Sequence, residues 1–468
     1  MDPAKALNDK EFRDHLSNVN TKGKRLWIFP KKPSGSYTKA RTIVAWSLMA
    51  LLFAGPFLKW HDHPLMLFNV MERKFILFGI PFWPQDFKIF AIAMLTGMVF
   101  IVLFTVVWGR VFCGWACPQT IFMEMLFRKI EYWIDGDYKQ QQKLAAMPWN
   151  AEKIRKRALK HTLFFFWSFV ISNTFLAYII GIDELKLMVT DGPIEHLGSF
   201  VSLLIFTGVF YFVFAWFREL VCIIVCPYGR LQGVMLDKKS VVVAYDHVRG
   251  EPRGKAKKKE ELNLGDCVDC NLCVNVCPTG IDIRNGIQLE CINCTACIDA
   301  CNEVMVKIDR PTGLIRYDSM EGIEQGRKWK LSGRAIAFSG VLVLLLGILT
   351  YFMVSRDDVQ AMVVRTPGAT YQFQGSDTVS NLYNVAFINK TFDEQEISIR
   401  VEDPKASMMV IGDQAFITPG GEQVKGTLML KYPVSAITRN RFKIPLAIYR
   451  NGEKFETIEA GFVAPVRN

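Results

Sequence analysis

Outside four short motifs this sequence contains no cysteine at all, and the stretch from Arg356 to Asn468 has none. The first 40 residues lack an apolar run, so no cleavable signal peptide is expected. Excess charge is also missing from the tail: from Arg356 onward Lys+Arg and Asp+Glu number 13 each. The +11 net charge therefore belongs to the first 355 residues. Disorder is excluded by composition, since half of the chain is hydrophobic and 13% is aromatic. A basic chain can bind nucleic acid, but long apolar runs make a membrane the better explanation, and no nucleic-acid partner is expected.

Five charge-free apolar stretches are present, at about Thr42–Leu58, Ile89–Gly109, Thr162–Ile182, Leu197–Phe217 and Ala335–Ser355. Each of the last four is long enough for a helix to cross the roughly 30 Å hydrocarbon core of a bilayer. A shorter run, Phe75–Gln85, contains Pro81 and Pro84 and reads as interfacial or re-entrant. Lys and Arg are dense before Arg41, between Arg110 and Lys160, and between Arg218 and Arg334; the loop Asp183–His196 has only Lys186. By the positive-inside rule the N-terminus is cytoplasmic and, after five crossings, the C-terminus is external. All twelve cysteines then lie on or near the cytoplasmic side, where thiols stay reduced.

Cys267, Cys270, Cys273 and Cys277 read C-x2-C-x2-C-x3-C-P; Cys291, Cys294, Cys297 and Cys301 repeat the spacing, with Asn302 in place of the proline. This is the ligand pattern of a bacterial two-cluster ferredoxin, in which the fourth cysteine of each motif ligates the other cluster. Cys267, Cys270, Cys273 and Cys301 are thus expected to hold one [4Fe-4S] cluster, and Cys277, Cys291, Cys294 and Cys297 the second. C-x2-C pairs also suit zinc, but a doubled, mutually completing set of eight argues against it.

Cys113/Cys117 and Cys222/Cys226 form two C-x3-C-P pairs, each at the exit of a helix hairpin and preceded by Trp and Arg (Trp108 and Arg110; Trp216 and Arg218). Residues i and i+4 share a helix face, Pro118 and Pro227 would end or kink the helix just beyond, and the arginines would favour thiolates. Such pairs can bind Cu(I), singly or as one four-sulfur site, or cycle as dithiol and disulfide; inert buried cysteines are the bland reading. Between the pairs, Gln119–Lys160 reads as an amphipathic cytoplasmic segment. His61 and His63 form an H-x-H pair that can bind copper but is more often unliganded when exposed. The Lys-rich stretch Gly250–Glu261 reads as a linker, suited at most to acidic lipid or an acidic redox partner.

The tail alternates apolar and polar residues in short runs broken by turns such as Pro419-Gly420-Gly421 and Asn451-Gly452. This points to an immunoglobulin-like sandwich. Its Met408-Met409 pair can bind Cu(I), though packing is the commoner use. The expected architecture is a multi-domain membrane protein: a basic tail (1–41), a four-helix transmembrane region with both C-x3-C-P motifs (42–239), a dicluster ferredoxin-like domain (240–334), a fifth helix (335–355) and an all-β immunoglobulin-like domain (356–468).

With these residues together the chain resembles the CcoG/FixG/RdxA family of cytochrome c oxidase accessory proteins. The membrane half also looks like NapH-type quinol dehydrogenase subunits, which are not expected to carry the sandwich. The resemblance implies reduction of Cu(II) to Cu(I) during assembly of cbb3-type oxidase, in a bacterial inner membrane with a periplasmic C-terminal domain. It makes Cys113, Cys117, Cys222 and Cys226 the copper-facing catalytic thiols of an oxidoreductase. Partners would be the lipid bilayer, copper ion, a cytoplasmic electron donor or quinol, copper-transport and oxidase assembly proteins, and a second copy in a homo-oligomer. The rival readings are a quinol-linked electron-transfer subunit and a non-enzymatic copper chaperone or scaffold.

Overall fold

The computed structural model describes residues 25–60, 63–70, 74–82, 86–192, 194–255, 264–326, 332–368, 370–375, 377–412 and 415–465. The chain divides into two compact units, one of residues 1–58 and 90–349, the other of 59–89 and 350–468. Among the described residues five helices are long and apolar enough to cross a membrane. They are α1 (Ser36–Ala54, extended by a 3-10 turn to Phe57), α2 (Phe87–Trp108), α3 (Ala151–Ile180), α4 (Leu197–Phe212, continued as a π-helix to Phe217) and α5 (Gly333–Val354).

α3 begins well before the apolar stretch. Asn150 caps it by accepting from Lys153 N at 2.9 Å, and its first turns carry Lys153, Arg155, Lys156, Arg157 and Lys160. Charge does not stop a helix whose first turn is capped and whose polar side chains find partners. Within the expected amphipathic segment Gln119–Lys160, Tyr138–Ala146 is a helix that buries only Gln141 and Leu144, whereas the part before it is largely buried. A π-helix, Phe122–Phe127, buries Phe122, Met123, Met125, Leu126 and Phe127 in the core of the first unit, with Ala45, Met49, Phe164, Ile171 and Phe214. Phe127 stacks on Phe214 at 4.4 Å between centroids and meets Phe164 edge-on at 4.9 Å.

The ferredoxin-like segment closes on itself through a two-stranded ribbon, Val242–Tyr245 against Ile315–Asp318. Asn302 stabilises the turn before the second of these strands, its Oδ1 accepting from Gly313 N at 2.9 Å.

In the second unit the tail is a sandwich of two antiparallel sheets. One runs Ser407–Ile411, Gln423–Pro433, Thr378–Asn389, Val359–Arg365, with Gln372–Gln374 also on Thr378–Asn389; the other runs Ala415–Thr418, Gln395–Val401, Arg441–Arg450, Glu453–Val463. Their inward residues, among them Tyr383, Phe387, Leu428, Leu446 and Phe462, form one core. Met408 packs against this core, while Met409 lies opposite Met429 and is half-exposed, so the two do not act as a pair. The run Phe75–Gln85 is not re-entrant. Lys74–Leu77 and Ile80–Phe82 join Met66–Asn69 in a three-stranded antiparallel sheet. Buried Asp86 holds Lys390 at 2.5 Å and Arg356 at 2.9 Å, and His63 stacks on Phe392 at 4.2 Å. His61 and the lysines 257–259 lie outside the described residues.

Candidate iron–sulfur and thiol centre

The eight ferredoxin cysteines separate into two cavities. Cys267, Cys270, Cys273 and Cys301 line one, with Tyr245, Leu272 and Arg284. Cys277, Cys291, Cys294 and Cys297 line the other, with Thr279, Asn293 and Thr295, and Cys273 borders it as well. Among the described residues no three His, Cys, Asp or Glu side chains stand close enough to share one metal ion. A tetrahedral zinc site needs its sulfurs gathered at about 2.3 Å from one ion. Four thiols around a cavity, none of them clustered on a point, instead suit the corners of a cubane.

Burial pushes Cys273, Cys291 and Cys301 up to about 12 and Cys294 to about 11; Cys277 and Cys297 also rise. Buried thiols raised in this way are poor free nucleophiles, and metal ligation is what makes their thiolates stable. Thr279 Oγ1 approaches Cys277 Sγ at 3.4 Å.

The two C-x3-C-P pairs share one local construction. Cys117 N donates to Phe112 O at 2.9 Å and Cys226 N to Val221 O at 2.8 Å, each spanning five residues. Both second cysteines are extended, and Pro118 and Pro227 begin the next helices rather than kinking the preceding ones. The two cysteines of a pair therefore straddle a helix break instead of sharing a regular helical face. The pairs nonetheless converge: Cys222 lies within electrostatic reach of Cys113, Cys117 and Cys226, and Cys113 of Cys117 and Cys226. Each first cysteine takes its polar partner from the other repeat. Cys113 Sγ donates to Gln232 Oε1 at 3.4 Å, and Cys222 bonds Thr120.

Aligned on the cysteines, Arg218 corresponds to Gly109, not Arg110. Both positions have left-handed φ, 56° at Gly109 and 53° at Arg218. Glycine adopts this freely, whereas arginine does so under strain. Arg218 is held there by Glu131, whose Oε1 and Oε2 accept from it at 3.1 and 2.7 Å, and Lys160 bonds the same carboxylate at 3.5 Å. Burial alone would raise Glu131, but Arg218, Lys160 and Arg128 outweigh it and hold it at about 2.

Arg110 is likewise committed, to the carbonyls of Leu289 and Gly229. Burial pushes Cys113 up to about 11 and Cys222 to about 12, against only a small opposing effect of Arg110 on Cys113. At Cys113 and Cys222 burial outweighs the arginines. Gln232, Thr120 and Glu131 carry no recognisable motif, so sequence reasoning missed them; Glu131 shows only as one charge among Arg128, Lys129 and Asp135.

The thiol centre abuts the second cluster cavity. Cys113 packs against the core cluster of Val276, Ile292, Cys294, Ala296 and Ala300, and a Cβ added to Gly114 would fall 2.4 Å from Ile292 O. Cys222 lines a cavity with Gln119, Thr120, Met123, Glu124, Pro278 and Ile292.

Residues 217–320 match the family described as 4Fe-4S dicluster domain, 90–137 match 4Fe-4S binding domain, and 349–465 match the IG-like fold at the C-terminus of FixG. RdxB of Cereibacter sphaeroides is 35% identical over 398 residues, covering 81% of this chain and 82% of that protein. The chain belongs to the FixG/RdxA family. Nitrogen fixation protein FixG of Rhizobium meliloti is 31% identical over 434 residues, covering 84% and 82%, and RdxA of Cereibacter sphaeroides is 34% identical over 397, covering 80% and 82%. As a FixG/RdxA protein the chain is a membrane iron–sulfur protein whose chemistry is electron transfer, with five apolar helices and an immunoglobulin-like C-terminal sandwich.

Proposed function

We propose that this FixG/RdxA protein is a cupric reductase of the bacterial inner membrane that supplies Cu(I) for assembly of cbb3-type cytochrome c oxidase. The observation that carries this reading is the packing of Cys113 against the core cluster that contains Ile292 and Cys294, with Gly114 against Ile292 and Asn293, which puts the C-x3-C-P thiols beside a cluster site. Cys267, Cys270, Cys273 and Cys301 would hold one [4Fe-4S] cluster and Cys277, Cys291, Cys294 and Cys297 the other. When bound, the clusters supply one-electron transfer, the stoichiometry that reduction of Cu(II) to Cu(I) requires.

Copper is the substrate. Cys113, Cys117, Cys222 and Cys226 are the soft donors that favour the Cu(I) product. Their mutual reach would let them share one soft ion. Gln232 and Thr120 orient Cys113 and Cys222, and the protons displaced when the thiols bind metal pass to solvent. The distribution of Lys and Arg puts the N-terminus and clusters in the cytoplasm and the sandwich in the periplasm. The grouping of loop 59–89 with the tail in one unit supports the same side for both, as five crossings require.

The test is anaerobic mixing of dithionite-reduced protein with Cu(II) and a Cu(I) chelator. Wild type should reduce copper, and Cys222→Ser/Cys226→Ser should lose the reduction while keeping cluster absorption. Copper reduction that survives in the double variant would remove those cysteines from the reaction.

A further inference from the structure

The two C-x2-C-x2-C loops are built alike. Asp269 and Asn271 flank Cys270 at φ 51° and 57°; Asn293 and Thr295 flank Cys294 at φ 52° and 66°. The surroundings of the two loops then differ. Cys294 is buried, because the chain's own membrane half sits on its loop. Gly114 lies against Ile292 and Asn293, Arg41 Nε ties Gly114 O at 2.6 Å, and Tyr317 bonds both Asn293 O (3.2 Å) and Trp115 Nε1 (3.1 Å). Cys270, at the equivalent place, is the one cysteine of the twelve that is exposed.

One copy of the loop thus faces the membrane half that holds the C-x3-C-P thiols, and the other faces outward. A redox centre that meets its internal partner through one loop has its external partner to meet through the other. Two exposed cations stand on the rim of the outward loop. Gly254 N donates to Cys267 O at 3.1 Å, bringing exposed Arg253 and Lys255 beside the cavity; Glu251 pairs loosely with Arg253 at 3.8 Å, and Arg284 is shared by Asp269 and Asp282 at 2.6 Å each.

We propose that the Cys270 loop, bordered by Arg253 and Lys255, is the docking surface for a separate acidic one-electron carrier protein. This rests on the electron-transfer part of the function above and is independent of copper as the acceptor. No bond is made or broken: the carrier is oxidised by one electron as this protein is reduced by one.

The probe is plant-type ferredoxin, an acidic one-electron protein. Its binding in the oxidised form to the full-length protein in nanodiscs is measured at low ionic strength. Arg253→Glu/Lys255→Glu should weaken binding about tenfold or more, as reversal of rim charges does, with cluster absorption and iron content unchanged. Lys405→Glu, on the sandwich, should leave it within about twofold. Equal affinity in the double variant and wild type overturns the assignment, as does a loss of similar size in Lys405→Glu. Dithionite-driven copper reduction bypasses docking, so it should be equal in wild type and the double variant. Its absence in both would count against the copper reading alone.

Discussion

Glu131→Gln removes the charge that holds Arg218 in its left-handed conformation four residues before Cys222. The side chain is 6% exposed and accepts from Arg218 at 3.1 and 2.7 Å and from Lys160 at 3.5 Å. Its carboxyl lies at about 2 instead of 4.5. A shift of that size corresponds to about 3 kcal/mol of stability. Because the folded value is the lower one, this contribution is complete above pH 4.5 and fades as the pH falls toward 2. Breaking a buried pair while leaving its cations in place costs about 3–5 kcal/mol, in agreement.

At about 1–2 °C per kcal/mol for a chain of this length, the unfolding midpoint should fall by roughly 3–6 °C. Anaerobic differential scanning fluorimetry in detergent at pH 7.5 reads this directly. The difference from wild type should persist down to about pH 5. Glu152→Gln breaks an exposed ion pair with Lys156 at 2.8 Å and should give no resolvable change. If Glu131→Gln shifts the midpoint no more than Glu152→Gln, the clamp on Arg218 does not exist as described.

The division of the cysteines can be read by electron paramagnetic resonance: Cys301→Ser should perturb the same cluster signal as Cys267→Ser, and Cys277→Ser the same signal as Cys294→Ser. A shared signal for Cys277→Ser and Cys267→Ser would contradict the two cavities. Alkylation of Cys113 and Cys222, followed by peptide mass spectrometry, should be slower than that of a free thiol at pH 8. It should go on accelerating toward pH 11, because burial raises both thiols above the ordinary 9.0; a plateau near pH 9 would show them to be ordinary.

The five spans and the sandwich are legible in the sequence because apolar length and strict alternation are local properties. The two cavities match the crossed spacing of the cysteine motifs for a related reason, since ligand order is written into the chain. What escapes is whatever depends on partners distant in sequence. Gln119–Lys160 reads as one amphipathic segment, and nothing local marks that Glu131 meets Arg218 and Lys160 inside the unit. The repeat looks aligned on Arg110 and Arg218 until backbone conformation aligns Gly109 with Arg218. Proline in the run Phe75–Gln85 suggests irregular chain at the bilayer surface, yet Pro81 sits in a short edge strand, where a missing N–H costs no ladder bond.

The most direct measurement is anaerobic iron and copper analysis of the purified full-length protein after loading with Cu(I). Two cubane sites predict about eight iron per chain, together with copper that is lost in Cys222→Ser/Cys226→Ser. About four iron or fewer, or copper bound equally by that variant, would contradict a pair of clusters feeding the C-x3-C-P thiols.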